Sequence, residues 1–277
     1  MAQNFKTELL GSTRIFRGAA LAVACLAASA CQTTQSHDMA SLDAPRYSDT
    51  SQKIPTSPAV QRWAERFKAN PHDINAAVGL SRQLRKERKY DESLGVLLRA
   101  TAVAENDPYL LSEMGKTLIE RGSPKEGLKL LEQAASKLPS DWSIMSARGI
   151  ALDQLEDHQK AQDAYQMALT YSPGNPVVLA NYGLSLATQG RLGEAENMLR
   201  RAVTHPDATQ EVNLNLALIV GLKGDFEESE RIARAYLPPA TVEENMAYLR
   251  SLLTQPARWH RPTDGDYDDN MPGNMPS

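Results

Sequence analysis

Residues 142–175 read WSIMSARGIALDQLEDHQKAQDAYQMALTYSPGN, and residues 176–209 read PVVLANYGLSLATQGRLGEAENMLRRAVTHPDAT. Set one above the other, the two stretches agree at the slots that matter for packing. Gly149 stands over Gly183, Ala161 over Ala195, Ala168 over Ala202, and Tyr165 over Leu199. The 34-residue period extends both ways. The first small slot recurs as Ser81, Gly115, Gly149, Gly183 and Ala217, and the second as Ser93, Gly127, Ala161, Ala195 and Ser229. A third runs Ala100, Ala134, Ala168 and Ala202, with Tyr236 breaking it. The bulky slot holds Leu97, Leu131, Tyr165 and Leu199, with Ala233 the exception. Pro71, Pro139 and Pro173 lie at multiples of 34, with Glu105 and Asp207 in the remaining slots. Uninterrupted self-similarity at this period is the signature of stacked supersecondary units.

The slots fit two antiparallel helices per unit. Small residues let the two backbones approach closely, and large ones three and four positions away fill the space between layers. Gly122, Gly190 and Gly224 stand at the turn between the helices, where a left-handed residue is needed. Arg88 and Glu156 occupy that place in units one and three, which predicts strain or a different turn. Small-x-x-large spacing, turn glycine and terminal proline together resemble the tetratricopeptide repeat. The resemblance implies an all-α, right-handed α-solenoid of about five units, at 74–107, 108–141, 142–175, 176–209 and 210–243. One unit cannot bury its apolar face alone, so stacking makes the core. An extra N-terminal helix should open at Ser57-Pro58, an N-cap followed by Pro at the first helical position, and cover unit one with Trp63 and Phe67. A C-terminal capping helix should start at the Thr241–Glu244 capping box and seal unit five with Met246, Leu249 and Leu253.

The two ends differ from the middle. Lys6, Arg14 and Arg17 precede an uncharged run from Gly18 to Ala30 that ends in small residues. That is the layout of a secretory signal, too short for a stable membrane span of roughly 18 or more residues. Cys31 follows, and small residues before a cysteine resemble a bacterial lipoprotein lipobox, although Ala28 stands where Leu is usual. The resemblance implies a signal peptide at 1–30, cleavage before Cys31, acylation of Cys31 and, with Gln32 next, outer-membrane sorting. Two or three acyl chains suffice for stable anchoring. Residues 31–57 read as a flexible tether and 255–277 as a disordered tail, with the solenoid over 58–254.

Composition excludes other classes. The 277 residues are only 6% aromatic, thin for a β-sandwich or barrel. The net charge is −4, and loss of residues 1–30 takes it to −6, so no nucleic-acid footprint exists. Cys25 leaves with the signal, and Cys31 alone can make no intrachain disulfide. Catalytic and cofactor patterns fail one by one. Gly115-Lys116-Thr117 lacks the earlier glycine of a phosphate loop, because Leu110 stands there. Asp264-Gly-Asp266-Tyr-Asp268 has Asp269 and Met275 where a calcium loop needs Gly and Glu. The five histidines have no ligand spacing, and Gly183-Leu-Ser185-Leu-Ala187 lacks the second glycine of a nucleophile elbow. No enzyme, cofactor, metal or small-molecule substrate is expected.

A binding role is expected instead. In the tetratricopeptide family the second, fifth, ninth, twelfth and thirteenth positions of each first helix face a concave groove. Here those positions run from basic, with Arg82, Arg85, Lys86 and Lys116 beside Tyr109, to apolar, with Leu184 and Leu218. The basic end suits an acidic segment and the apolar end an amphipathic helix. For Leu214, Leu218 and Leu222 the alternative is contact with the C-terminal helix. Asn181 and Asn215 share the sixth position, where some family members use Asn to clamp a peptide carboxylate; here Leu184 and Thr188 replace the basic partners, and a structural role is the alternative.

Two blocks go further than the repeat: Gly149–Leu169, and Asn215–Leu252, which runs from NLALIVGLKGDFEESERIAR through Leu237-Pro-Pro239 to NMAYLRSL. Both resemble the TadD family, the tetratricopeptide lipoproteins of tight-adherence (Flp) pilus assembly, and the likeness extends from about Trp63 to Leu253. It implies a periplasm-facing, outer-membrane lipid-anchored scaffold, pilotin-like toward the pilus secretin or neighbouring assembly proteins. The alternative is a tetratricopeptide envelope lipoprotein serving cell-wall enzymes or outer-membrane protein assembly.

Overall fold

The computed structural model describes residues 57–254; the signal, lipidation, tether and tail readings lie outside them. Twelve helices and no strands occur among the described residues. In order they are α1 (Pro58–Ala69), α2 (Ile74–Lys86), α3 (Tyr90–Thr101), α4 (Pro108–Arg121), α5 (Pro124–Lys137) and α6 (Trp142–Gln154), then α7 (His158–Tyr171), α8 (Pro176–Thr188), α9 (Leu192–Val203), α10 (Gln210–Leu222), α11 (Phe226–Arg234) and α12 (Pro239–Thr254). The even-numbered helices α2 to α10 open the five units, starting at Ile74, Pro108, Trp142, Pro176 and Gln210.

The small slots meet face to face inside each unit. Ser81 and Ser93 share a hydroxyl hydrogen bond of 2.7 Å between α2 and α3. Gly115 and Gly127 bring α4 and α5 so close that a Cβ on either would stand 2.9 or 2.7 Å from the other's carbonyl oxygen. A Cβ on Gly149 would lie 2.5 Å from the Tyr165 ring. In unit five Ser229 donates 2.7 Å to the Ala217 carbonyl. Leu97, Leu131, Tyr165 and Leu199 are fully buried, as are Ala134, Ala168 and Ala202. Alanine in those slots lets the next unit stack directly on the second helix.

The five intra-unit turns are one structure. Each ends with the amide two or three residues past the helix donating back to the fifth residue before it: Lys89 to Leu84, Ser123 to Leu118, Asp157 to Leu152, Arg191 to Leu186 and Asp225 to Val220. This closure requires a left-handed residue. Gly122, Gly190 and Gly224 supply it, and Arg88 and Glu156 adopt it too, with φ of 63° and 62°. Of the two expectations for those turns, strain is the outcome, at about 1 kcal/mol each. A second series tightens the inter-unit turns. Asp73, Asp107, Asp141 and Asn175 each cap a first helix, their side chains accepting backbone amides at 2.8–3.2 Å.

Both ends are closed. Ser57 caps α1, accepting from the Val60 amide at 3.3 Å, and Phe67 is buried against unit one with Trp63 partly so. At the other end two expectations need correction. The final helix starts at Pro239, not after Thr241, so Thr241 lies inside the first turn and makes no capping box. Pro239 opens the helix because the position needs no amide donor, and the Pro238 carbonyl accepts from Val242. Met246 and Leu249 are buried, but Leu253 is 47% exposed. A Cβ on Gly221, next to last in α10, would lie 2.7 Å from Leu249. The last turn of α12 therefore runs past the end of α10. Tyr236 is also exposed, since α11 has only nine residues and stops before the slot.

The two kinds of glycine should separate in a stability series. Gly115→Ala forces a Cβ into the Gly127 backbone and should cost about 1–3 kcal/mol. Gly95→Ala, with nothing within 4 Å of its Cβ, should be stabilising by up to about 1 kcal/mol through helix propensity. Urea unfolding of the two variants checks both signs.

Candidate groove between the first helices

The first helices lie side by side, so groove positions on one helix meet the next helix. This contact decides which of them remain open. Arg82 Nε and Nη2 of α2 donate to Glu113 Oε1 of α4 at 3.1 and 2.9 Å. Arg85 Nη2 lies 3.2 Å from Glu113 Oε2 without hydrogen-bond alignment, and its Nε is 3.7 Å from Glu120. Lys116 Nζ donates to Glu113 Oε1 at 3.2 Å and to Ser143 Oγ of α6 at 3.1 Å. Three cations from two units thus surround one carboxylate that is 1% exposed.

The electrostatics follow from that crowding. Burial pushes the Glu113 carboxyl up, but Lys116, Arg85 and Arg82 outweigh it and hold it below its usual value. Burial lowers Lys116, with Arg85 and Arg82 adding repulsion and Glu113 only partly opposing. Glu113 is absent from the residues singled out in the sequence. Its signal is the sixth position, which carries Asn181 and Asn215 in units four and five and an acid one unit after two arginines.

The other groove positions fall into two groups. Tyr109 is 52% exposed at the start of α4, and Lys86 is exposed at the end of α2. Leu184 and Leu218 are closed to solvent, at 2% and 8% exposed. The expectation of an apolar groove end is therefore corrected. Leu214 and Leu218 pack with Val242, Met246 and Leu249 of α12, which occupies the place a sixth unit's first helix would take. Of the two readings for these leucines, contact with the C-terminal helix holds. Asn181 donates to Ser146 Oγ of the preceding first helix at 3.1 Å. Asn215 is buried, and its Oδ1 has no hydrogen-bond partner. Cys31 lies outside the described residues.

Further along, Asp153, His158, Tyr165 and Ser185 come together between units three and four. Asp153 accepts from Tyr165 at 2.9 Å and from Ser185 at 2.8 Å, and His158 Nδ1 lies 3.0 Å away. Burial raises the Asp153 pKa against the opposing pull of His158, Ser185 and Tyr165. Ser185 bonds Asp153 and not the imidazole, so this set has no nucleophile–base pair. It ties α6, α7 and α8 together. An apolar pocket of about 410 Å³ between α1, α2 and α3, lined by Phe67, Leu80 and Arg99 among others, includes none of the singled-out groove residues. Among the described residues no His, Cys, Asp and Glu group could hold a metal, and no helix is long and apolar enough to cross a membrane.

Paired helices with this period, turn and stacking form the tetratricopeptide-repeat α-solenoid. A family model described as the tetratricopeptide repeat matches residues 112–176. Among solved structures, the chain is similar to TTC0263, a thermophilic tetratricopeptide protein of Thermus thermophilus, with TM-score 0.58 and 19% identity over 64% of this chain and 98% of that one. It is similar to pilF of Pseudomonas aeruginosa, with TM-score 0.50 and 14% identity over 68% and 90%. It also resembles human IFIT1, with TM-score 0.57 and 16% identity over 69% and 48%. No curated protein matches the sequence. These likenesses share the fold, and such solenoids present extended concave surfaces to other proteins.

Glu113→Gln leaves three cations around a neutral amide and should destabilise the chain by about 3 kcal/mol at pH 7. The folded carboxyl titrates below its unfolded value. Its stabilisation is therefore full above that value and lost as pH falls through the folded one. Urea unfolding across pH should show wild type and variant converging below about pH 4.

Proposed function

We propose that the chain is a protein-binding scaffold whose working surface is the N-terminal half of the groove. The observation that carries this reading is the open basic face where Arg82, Lys86 and Tyr109 stand exposed beside the buried Glu113 cluster. The surface is suited to an acidic segment of a partner protein. The cellular setting we propose is the periplasmic side of the outer membrane, with anchoring through acylated Cys31. The task is tight-adherence (Flp) pilus assembly, in a pilotin-like role toward the secretin or a neighbouring component. The lipobox-like start and the likeness to the TadD family from Trp63 to Leu253 support that setting.

A pull-down from membranes with wild type and Cys31→Ala tests it. Secretin subunits should co-purify with wild type, and the Cys31→Ala chain should leave the membrane fraction. If secretin never co-purifies and assembles equally well without this protein, the pilus role is wrong. Recovery of cell-wall enzymes or outer-membrane assembly proteins instead would favour the broader envelope-scaffold reading. Lys86→Glu, exposed and outside the Glu113 cluster, should weaken an acidic partner about tenfold without unfolding the chain. Unchanged affinity would move the site elsewhere.

A further inference from the structure

We infer that the acidic stretch Asp264–Asp269 of this same chain docks on the basic N-terminal half of its own groove. The groove positions of units one and two carry Arg82, Arg85, Lys86 and Lys116 against Glu113 and Glu120, an excess of positive charge. Arg82 is half-exposed even while bonded to Glu113, and Lys86 is exposed. No comparable surplus occurs further along. Units three and four offer Ser143, Ile150, Gln154, Val177 and Thr188, with Asp153 buried, and unit five offers exposed Glu211. The segment Asp264-Gly-Asp266-Tyr-Asp268-Asp269 has four acids in six residues.

Topology brings the two within reach. Gly221 near the end of α10 meets Leu249 well along α12, so α12 runs parallel to the first helices. The chain therefore leaves α12 at the edge where α2 and α4 also end. Arg85, Lys86 and Glu120 occupy those last turns. From α12 back to α2 is five helix spacings of 8–10 Å, about 40–50 Å. The stretch from Thr254 to Asp266–Asp269 can span up to about 40–54 Å. Attachment through a linker of that length gives an effective concentration on the order of millimolar. Weak charge attraction then holds the segment in place, and an external acidic segment has to displace it.

The test uses the mature chain and a labelled peptide of residues 262–270 as probe. The native chain is compared with one carrying Asp264→Asn, Asp266→Asn, Asp268→Asn and Asp269→Asn. At low salt the neutralised chain should bind the probe at least about threefold tighter, because its groove is vacant. Binding should vanish at about 0.5 M salt, and should weaken at least about threefold in the neutralised chain carrying Lys86→Glu. Equal affinity for the two chains, or no probe binding to the neutralised one, would overturn the proposal. Carbodiimide coupling of the native chain supplies a second readout: an amide between Lys86 and residues 264–269 in monomeric material is expected. The same link confined to dimers would assign the groove to a second copy and overturn docking within one chain. Neither outcome depends on which proteins the membrane pull-down recovers.

Discussion

Everything in this solenoid depends on how closely two helices approach within a unit. The limit is set by backbone against backbone, as at Gly115 and Gly127, where no room exists for a single added carbon. Close approach fixes the angle between the helices, and the angle fixes where the next unit can sit. The units solve the same constraint with different chemistry. Unit one uses two serines that bond each other, and unit five a serine bonded to a carbonyl. Unit three places Gly149 under the Tyr165 ring, and the phenol then needs a buried acceptor, which Asp153 supplies. One glycine thus explains a buried aromatic, a buried acid and the bonds that tie Ser185 and His158 to it.

The repeat is legible because its signals are local. Spacing, small residues and turn glycines are properties of neighbouring positions along the chain, and repetition multiplies them. The turns at Arg88 and Glu156 look anomalous in sequence because side-chain identity is the only guide there. The bonds from Lys89 to Leu84 and from Asp157 to Leu152 show that five repeated closures can impose a left-handed residue where glycine is missing. The caps at Asp73, Asp107, Asp141 and Asn175 carry the same period and are easily passed over beside the more conspicuous prolines.

The groove is less legible because its exposure is not local. Whether Leu218 faces solvent depends on Met246 and Leu249, which come some thirty residues later and belong to no repeat. Glu113 hides for a related reason. Its partners Arg82 and Arg85 belong to the preceding unit, and the pairing is visible only when first helices are laid side by side. The basic positions that look free in sequence are largely occupied in neutralising a buried acid. What remains for a partner is the surplus, at Arg82 and Lys86.

The Glu113 cluster also gives the array an address system. The shared turn closure and the repeated caps would let whole units be deleted or duplicated without disturbing the stacking of their neighbours. Removing residues 108–141, however, would bring unit three up against unit one and place Ala147 opposite Arg82 and Arg85. Two partly buried guanidinium groups would lose their carboxylate. The modules are interchangeable in shape and non-interchangeable in charge, so their order along the chain is constrained by electrostatics even where geometry would permit any order.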